Sequence, residues 1–312
     1  MYGHKMNPMR RLKNAIVAAL TVLMIMPLAA CGTTDATGSD PDIARSYDVS
    51  RIQKDDAIAA MLPTSVTDDG KFTIGTNVTY APAEFLAADG KTPVGYEVDL
   101  SKAMARIFGL DLDIQNSMFD TIIPAVGSKY DVGISGFTVN KERIEAVDFV
   151  TYAQAGLTFA ARKGNPTHVN VNDLCGTRVS VQVGVVAETE MYKMQDQCQA
   201  KGEKRIEILP YRNQTDVTTA LIAGRVDLMY ADTPVTGYAV AQTDDRLQVI
   251  GENEGVLPMG VAIKKGDDAT VRAVKAALDK LKETGDYEGI MKAWGVENVM
   301  VDKFEVNPDV EG

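Results

Sequence analysis

Side chains that commonly carry catalytic chemistry are sparse in this sequence. Beyond the first thirty residues the only histidine is His168, which lies in a loop-like stretch far from any paired acid. Residues 90–92 (Gly-Lys-Thr) match the end of a phosphate-binding loop, but Phe85 stands where that motif needs a glycine. Residues 133–136 (Gly-Ile-Ser-Gly) lack the last glycine of a nucleophile elbow, since Phe137 occupies its place. We therefore expect no catalytic residue, no metal site and no cofactor, and a chain that captures a molecule instead of converting it.

The cysteine at position 31 indicates chemistry of another kind. A basic cluster and an apolar run at residues 15–28 precede it in the order of a secretory signal, and the run is too short to span a bilayer. The small residues directly before Cys31 resemble the lipobox of bacterial lipoproteins, in which the signal is cut before a cysteine that carries a lipid. An ordinary signal with a chance cysteine is the alternative. We expect a lipoprotein signal peptide at residues 1–30, lipidation of Cys31, and a flexible tether of small polar residues at 31–47.

The two remaining cysteines, Cys175 and Cys198, form an even pair in a chain predicted to leave the cytoplasm. A disulfide is the default expectation in that compartment. It would close a loop of about 24 residues and stabilise the fold by roughly 3.5 kcal/mol in the chain-entropy model. Two buried thiols are the alternative, whereas zinc is disfavoured because no second ligand pair accompanies His168.

Composition sets the class of the molecule. The chain has 312 residues, of which 45% are hydrophobic and 24% charged, as in ordinary soluble proteins, so a disordered or multi-span membrane protein is excluded. At roughly 100–200 residues per domain, two globular units are expected. The 43 acidic residues outnumber the 32 basic ones and give a net charge of -11. Because such a surface repels nucleic acid and anionic lipid, neither is an expected partner.

Strand and helix patterns alternate along the chain. This β-α-β-α-β order needs parallel strands joined by crossover helices, so it predicts an α/β fold. The pattern occurs twice, and helical residues remain at the end. The predicted strands are 71–76, 110–114, 130–135, 178–183, 206–209, 226–230, 247–250 and 260–263, and the predicted helices are 95–110, 120–126, 187–197, 216–224, 269–284 and 287–294, with a further helix within 48–64.

Several stretches carry a family resemblance. Residues 74–85 read Ile-Gly-Thr-Asn-Val-Thr-Tyr-Ala-Pro-Ala-Glu-Phe, and residues 95–100 read Gly-Tyr-Glu-Val-Asp-Leu. Residues 119–149 include Phe-Asp-Thr-Ile-Ile-Pro-Ala, Asp-Val-Gly-Ile-Ser-Gly-Phe-Thr and Asn-Lys-Glu-Arg, and residues 223–234 include Ala-Gly-Arg-Val-Asp and Ala-Asp-Thr-Pro. In order and spacing these resemble the extracellular solute-binding proteins of amino-acid ABC transporters, bacterial family 3. The resemblance covers about residues 71–296.

The resemblance implies a two-lobe fold of the type II periplasmic-binding-protein kind. Each lobe is a parallel or mixed sheet flanked by helices, and two hinge strands join the lobes. The implied boundaries are 48–70 for an N-terminal helix and lead-in, 71–160 plus 256–312 for lobe 1, 161–255 for lobe 2, and hinge strands near 157–161 and 255–260. A monomer is expected.

The resemblance also assigns ligand-binding roles in a cleft between the lobes. A free α-carboxylate favours a bidentate guanidinium and backbone N–H groups. By resemblance, Arg143 and Thr138 hold the carboxylate, with the turn that includes Ser135 and Gly136. The alternative for Arg143 is a surface arginine in a charged run, which its sequence context alone would favour.

The acid and the aromatic residues of the implied site have alternatives too. Asp232 resembles the acid that holds the ligand's amino group, although a helix cap before Thr233 is an equally good interpretation. Tyr80 and Phe119 match aromatic positions that sandwich the ligand, although core packing is commoner for aromatic residues in general.

Three positions depart from the family pattern. Asn77 stands where relatives often carry an acid that meets a cationic side chain. The turn that usually reads Gly-Thr-Thr-Gln is Gly-Val-Val-Ala at 184–187, so only the backbone amide of Val186 can reach the carboxylate there. Gln182, two residues before this turn, is a candidate to compensate. We therefore expect a pocket for a neutral or polar amino acid more than for arginine or lysine.

The expected function is capture of an amino acid by a lipid-anchored protein that delivers it to an ABC permease. The protein would lie outside the cytoplasm and be held to the membrane by lipid alone. Gly32 does not mimic the acidic retention signal of two-membrane bacteria, which favours a Gram-positive source. The alternatives are an enzyme on the same fold, such as a dehydratase, and a sensory amino-acid-binding lipoprotein.

Overall fold

The computed structural model describes residues 40–310. The predicted signal peptide at 1–30, the lipid site Cys31 and the first part of the predicted tether lie outside the described residues. At the end of that tether the chain forms a short helix, α1 (Pro41–Arg45). Just beyond it, the phenol of Tyr47 donates a hydrogen bond to Asp286 Oδ1 at 2.8 Å. Residues 41–47 therefore pack against the folded body, where the sequence predicted a flexible tether.

The described residues contain two sheets, one of eight strands and one of three. The strands are β1 (Lys71–Thr76), β2 (Thr79–Tyr80), β3 (Glu84–Leu86), β4 (Pro93–Val94), β5 (Asp111–Asn116), β6 (Val132–Gly133), β7 (Val147–Arg162), β8 (Arg178–Gln182), β9 (Glu207–Tyr211), β10 (Leu228–Asp232) and β11 (Leu247–Lys264). The remaining helices are α2 (Asp56–Ala59), α3 (Thr64–Thr67), α4 (Tyr96–Phe108), α5 (Phe119–Ile122), α6 (Lys141–Ala146), α7 (Val186–Ala200), α8 (Gln214–Ile222), α9 (Thr233–Ala241), α10 (Asp268–Thr284) and α11 (Asp286–Ala293), with 3₁₀ turns at Val49–Arg51, Ile123–Ala125 and Glu297–Val299.

The larger sheet has the strand order β5-β1-β6-β11-β7-β10-β8-β9. At one end β1 pairs in parallel with β5 and β6, and at the other end β8 pairs in parallel with β9 and β10. The long strands β7 and β11 lie between these groups and run antiparallel to their neighbours. We call β1 to β6, with α2 to α6, α10 and α11, the first lobe. We call β8, β9 and β10, with α7, α8 and α9, the second lobe. The predicted α/β fold with a mixed sheet is confirmed.

The two long strands connect the lobes. Residues 157–161 of β7 pair with β10 in the second lobe, whereas residues 262–263 of β11 pair with β6 in the first. The register between β7 and β11 shifts between Ile250 and Leu257. Register irregularities of this kind bend and twist a strand pair, which suits a connection between two bodies. The hinge segments predicted near 157–161 and 255–260 lie within these strands.

Helix α4 shows how the sequence specifies the first lobe. It was predicted at 95–110 and spans Tyr96–Phe108. Gly95 has φ 132°, and a Cβ there would collide with the carbonyl oxygen of Ala83, so only glycine fits before the helix. Gly109 adopts the left-handed conformation that ends the helix. Leu100, Met104 and Ile107 share one face of α4, and they are buried in a cluster with Phe72, Tyr152 and Leu278.

Other predicted elements differ from the structure. The helix predicted within 48–64 is broken into a 3₁₀ turn and the separate helix α2, because the side chain of Asp55 caps a new start by accepting two backbone N–H groups. The strand predicted at 130–135 is only Val132–Gly133. The strands predicted at 247–250 and 260–263 are the two ends of β11, since the exposed polar residues between them hide its continuity.

The predicted disulfide is confirmed. Cys175 and Cys198 are bonded, with an S–S distance of 2.05 Å and 5.6 Å between their Cα atoms. The bridge ties the segment before β8 to the end of α7 in the second lobe. Within residues 40–310 the structure contains no helix that is both long and apolar enough to cross a membrane.

Candidate ligand-binding site

The ends of parallel strands from both lobes meet at the boundary between the lobes. Asn77 directly follows β1, Ser135 follows β6, Gln182 ends β8 and Asp232 ends β10. All four side chains are buried. Ligand clefts in open α/β sheets lie outside the carboxyl ends of the strands, so this boundary is the candidate site.

Asp232 is a buried carboxylate of the second lobe, 6% exposed. It precedes α9, but in the described structure its side chain forms no cap hydrogen bond to that helix. Its Oδ2 atom instead accepts a hydrogen bond from the Tyr80 hydroxyl of the first lobe at 2.5 Å. Burial raises the pKa of Asp232 to about 6, while the Tyr80 hydrogen bond and the positive charge of Arg143 act in the opposite direction. The carboxylate therefore faces the other lobe, and the helix-cap interpretation does not describe it.

Arg143 lies on α6, a short helix that begins where the side chain of Asn140 accepts the Arg143 backbone N–H. Its guanidinium donates to the carbonyl oxygen of Thr138 at 2.8 Å and to that of Gly184, in the second lobe, at 3.0 Å. The group also lies 5.4 Å from the ring centre of Phe119. Burial lowers the pKa of Arg143 to about 10, so the side chain keeps its charge at neutral pH. The surface-arginine interpretation therefore does not fit this side chain.

The aromatic residues predicted around the ligand differ in their surroundings. Phe119 stacks on Phe137, with ring centres 4.8 Å apart, and this pair forms the surface beneath Arg143. The hydroxyl group of Tyr80 donates a hydrogen bond to Asp232 of the second lobe. Val186 is the first residue of α7, the helix that follows the Gly184 carbonyl group bound by Arg143.

Asn77 and Gln182 join the lobes directly. Gln182 Nε2 donates to Asn77 Oδ1 at 3.1 Å and to the carbonyl oxygen of Arg212 at 3.2 Å. Asn77 Nδ2 donates to the carbonyl oxygen of Ser117 at 2.8 Å. Gln182 therefore lies at the boundary between the lobes, directly opposite Asn77.

The turn at Ser135 and Gly136 differs from the expectation that its polar groups face the ligand. The Ser135 hydroxyl donates to Glu84 Oε1 at 2.6 Å, and the Gly136 backbone N–H donates to both carboxylate oxygens of Glu97 at 3.0 and 3.1 Å. These two groups are already paired with protein carboxylates. They therefore fix the turn to the protein interior, whereas the next part of the turn, at the Thr138 carbonyl group, contacts Arg143.

Glu84 and Glu97 are site residues that sequence reasoning missed. Both are buried, and Glu97 also accepts a hydrogen bond from the Tyr152 hydroxyl. Burial raises the pKa of both groups, to about 7 for Glu97, and the Glu97 charge raises that of Glu84 further. In the sequence, each acid has apolar residues on both sides and lies in a stretch that carries the family resemblance. An acid in such surroundings was the one feature that could have indicated a buried carboxylate.

The raised pKa of Glu97 predicts a pH-dependent stability. The folded protein holds a proton that the unfolded chain releases near the ordinary value of 4.5, so stability is present at low pH and is lost as pH rises towards about 7. We expect the free energy of unfolding to fall across this window by up to about 3 kcal/mol from this group. In denaturant unfolding at several pH values, the free energy of unfolding of Glu97→Gln should fall less with rising pH than that of the native chain. Glu145→Gln, at an exposed position, is the control and should show the same pH dependence as the native chain. If the free energy of unfolding fell equally with pH in both variants, Glu97 would not be the group responsible.

The sequence matches the bacterial extracellular solute-binding proteins, family 3, over residues 72–297. The chain belongs to this family. The match covers almost the same residues as the predicted resemblance, which is confirmed. As a family 3 protein, the chain has the type II two-lobe fold that the resemblance implied.

Several relatives and solved structures that resemble this family 3 protein carry the names of amino-acid-binding proteins. The arginine-binding protein ArgT of Corynebacterium glutamicum is 35% identical over 298 residues, which are 95% of this chain and 96% of that protein. The structure of an ancestral arginine-binding protein bound to arginine is 32% identical, with a TM-score of 0.66 over 72% of this chain and 98% of its own. The ancestral amino acid-binding protein AncCDT-1, a precursor of cyclohexadienyl dehydratase, is 29% identical, with a TM-score of 0.66 over 73% of this chain and 97% of its own.

Proposed function

We propose that this chain captures a free α-amino acid with a polar side chain between its lobes and delivers it to an ABC permease. The observation that carries the proposal is the half-buried guanidinium of Arg143 in the first lobe, whose charge acts on the buried carboxylate of Asp232 in the second. These charges complement the carboxylate and the ammonium group that every free α-amino acid carries. The names of the relatives, which bind amino acids, support the same conclusion.

A ligand screen tests this proposal. The full chain, purified in a mild detergent, would be heated with each of the twenty amino acids and with a set of sugars and dipeptides as controls. A ligand present at 100 times its dissociation constant stabilises the folded state by about 2.7 kcal/mol, which gives a measurable rise in melting temperature. Titration calorimetry would then measure the affinity of each hit. No shift with any amino acid would refute the proposal.

Binding is favoured over the enzyme alternative. The chain is similar to the precursor of a dehydratase, which is an argument for the enzyme alternative. That precursor, however, is itself named an amino acid-binding protein. His168, the histidine of the folded body, is exposed in a loop of the second lobe and is remote in sequence from Arg143 and Asp232. A sensory role is the other alternative, and uptake of the labelled ligand by cells with and without the gene separates it from transport.

We further propose that the protein is a monomer held outside the cytoplasm by a lipid on Cys31, in a cell with a single membrane. The basic cluster, the apolar run and the small residues before Cys31 support this placement. Cys31→Ser should move the protein from the membrane fraction to the medium, because one hydrophobic anchor is lost and the acidic body has little affinity for lipid. Immunoblots of the two fractions measure the change. Full retention of the variant at the membrane would contradict the anchor.

A further inference from the structure

Thr233 lies between Asp232 and the two strands that connect the lobes. It directly follows Asp232 and is the first residue of α9. Its hydroxyl oxygen lies 2.9 Å from the carbonyl oxygen of Gly156, on β7, and 2.6 Å from Oδ1 of Asn253, on β11. One side chain of the second lobe therefore contacts both connecting strands beside the candidate site.

The hydroxyl group of Thr233 joins these strands whichever way its proton points. A hydroxyl group has a single proton, so it cannot donate fully to two oxygens. The proton is either shared between the two oxygens or, with the Asn253 amide turned by a half-turn, donated to Gly156 while the hydroxyl oxygen accepts an amide N–H group. In both arrangements β7, α9 and β11 meet at this oxygen. We call Gly156, Thr233 and Asn253 the hinge triad.

The backbone at Gly156 permits the close approach of the two strands. A Cβ atom on Gly156 would lie 2.1 Å from Asn253 Oδ1 and 2.5 Å from the carbonyl oxygen of Glu254. Both distances are shorter than atoms in contact allow, so only glycine fits at this position. Any larger residue would push Asn253 away from Thr233.

The segment that carries Asn253 is a place where the connecting strands can turn. The pairing of β11 with β7 shifts its register there, and residues 251–256 are exposed. Gly251 and Gly255 flank the segment with φ values of 80° and 59°, which residues with a side chain rarely adopt. Hinges absorb changes in φ and ψ at a few such residues, so a rotation of the lobes would move Asn253 relative to Thr233. The hydrogen bonds of the hinge triad therefore belong to one relative position of the lobes.

We infer that Thr233 is a positioning residue that couples Asp232 to the closure of the lobes. The hinge triad is complete in the arrangement in which the Tyr80 hydroxyl of the first lobe reaches Asp232. The backbone of Asp232 pairs with Leu157, the neighbour of Gly156, so a displacement of the triad would also move the carboxylate. Thr233 acts through these groups and needs no contact with the ligand. The inference rests on the proposed function, since it takes Asp232 as the group that meets the ligand's ammonium group.

Titration calorimetry on the full chain tests this role. The probe is the L-amino acid that raises the melting temperature of the native chain most in the ligand screen. Thr233→Val keeps the shape of the side chain and removes its hydroxyl group. It should weaken binding of the probe by roughly three- to tenfold, the range for the loss of one hydrogen bond. Thr233→Ser restores the hydroxyl group and should bind the probe within about twofold of the native chain.

Two further measurements separate coupling from a merely structural role. The loss in Thr233→Val should appear as faster dissociation of the radiolabelled probe, because the closed form is the one that is weakened. Asn253→Ala should weaken binding by a similar factor, and the double variant should bind about as weakly as the weaker single variant, because one chain of hydrogen bonds is lost in each case. Thr284→Val, which removes a hydroxyl that donates to carbonyl groups within α10, is the matched control and should leave the affinity unchanged.

The outcomes separate the inference from the proposed function. If no amino acid binds the native chain, the proposed function fails and the inference fails with it. If the native chain binds the probe and Thr233→Val binds it equally well, the inference alone is wrong. A lower melting temperature of Thr233→Val with unchanged affinity and dissociation would also overturn it, as would additive losses in the double variant. Asn253 is exposed, so Asn253→Ala provides the same test if Thr233→Val does not fold.

Discussion

Replacement of Asp232 by asparagine is expected to weaken amino-acid binding by roughly thirtyfold or more. Truncating one member of a buried, hydrogen-bonded charge pair costs about 2–5 kcal/mol, largely because the other charge stays buried without its partner. Asparagine keeps the shape of the side chain and an oxygen that can accept from the Tyr80 hydroxyl. The loss would therefore report the charge that meets the ligand's ammonium group, and the fold should be retained.

The same carboxylate predicts a pH dependence of binding by the native chain. Burial raises the pKa of Asp232 to about 6, and only its ionised form attracts an ammonium group. The affinity should therefore be constant above about pH 7 and should fall as the pH drops through about 6. In Asp232→Asn this fall should be absent. Calorimetric titrations at pH values from about 5 to about 8, on either side of this pKa, would measure the affinity of the native chain and of the variant. Asp244→Asn, an exposed acid of the same lobe, is the control. A native affinity in Asp232→Asn would place the ammonium group elsewhere.

The fold could be predicted in outline because its signals are local. The strands β1, β8 and β9 and the helices α4 and α10 follow from hydrophobic residues that recur at the period of a strand or a helix. Each of these two helices also has a glycine or a polar cap at its ends. The long strands β7 and β11 could not be predicted in full. Their central residues are held by pairing between distant segments, and β11 is exposed for several residues where it passes between the lobes. The strand conformation of such residues is set by tertiary pairing and not by their intrinsic strand preference.

The candidate site could be predicted only at positions to which the family resemblance assigns a role. Arg143 and Asp232 were predicted by that resemblance and not from residue type, and both lie at the boundary of the lobes. Glu84 and Glu97 were missed because their role depends on burial, which the sequence does not show for an acid.

Closure of the lobes explains why the charged groups lie on opposite sides. The first lobe contributes Arg143 and Tyr80, and the second contributes Asp232 and the carbonyl group of Gly184, which are joined by hydrogen bonds across the boundary. A ligand stabilises the closed form only to the extent that it binds this form better than the open one. An amino acid with one charged group at each lobe meets that condition, because both contacts are complete only when the lobes meet.

Replacement of Arg143 by alanine is the second large expected effect. The half-buried guanidinium lies over the rings of Phe119 and Phe137 and donates to two carbonyl groups, so it is already held in place before a carboxylate binds. Its removal should weaken binding by roughly thirtyfold to several thousandfold, the range for truncating a buried charge partner. Arg143→Lys should recover only part of the loss, since an ammonium group lacks the planar fork that matches a carboxylate.

Lys141 provides the matched control for Arg143. It lies on the same short helix but is exposed to solvent. Exposed charges contribute about 0–1 kcal/mol, so Lys141→Ala should change the affinity by less than about a factor of five. Calorimetric titration of the three variants with the preferred amino acid, and circular dichroism to verify the fold, would measure the contrast. Since α6 carries both residues, a general disturbance of this helix would affect Lys141→Ala as well. Small and similar effects for Arg143→Ala and Lys141→Ala would mean that the carboxylate is held elsewhere in the cleft.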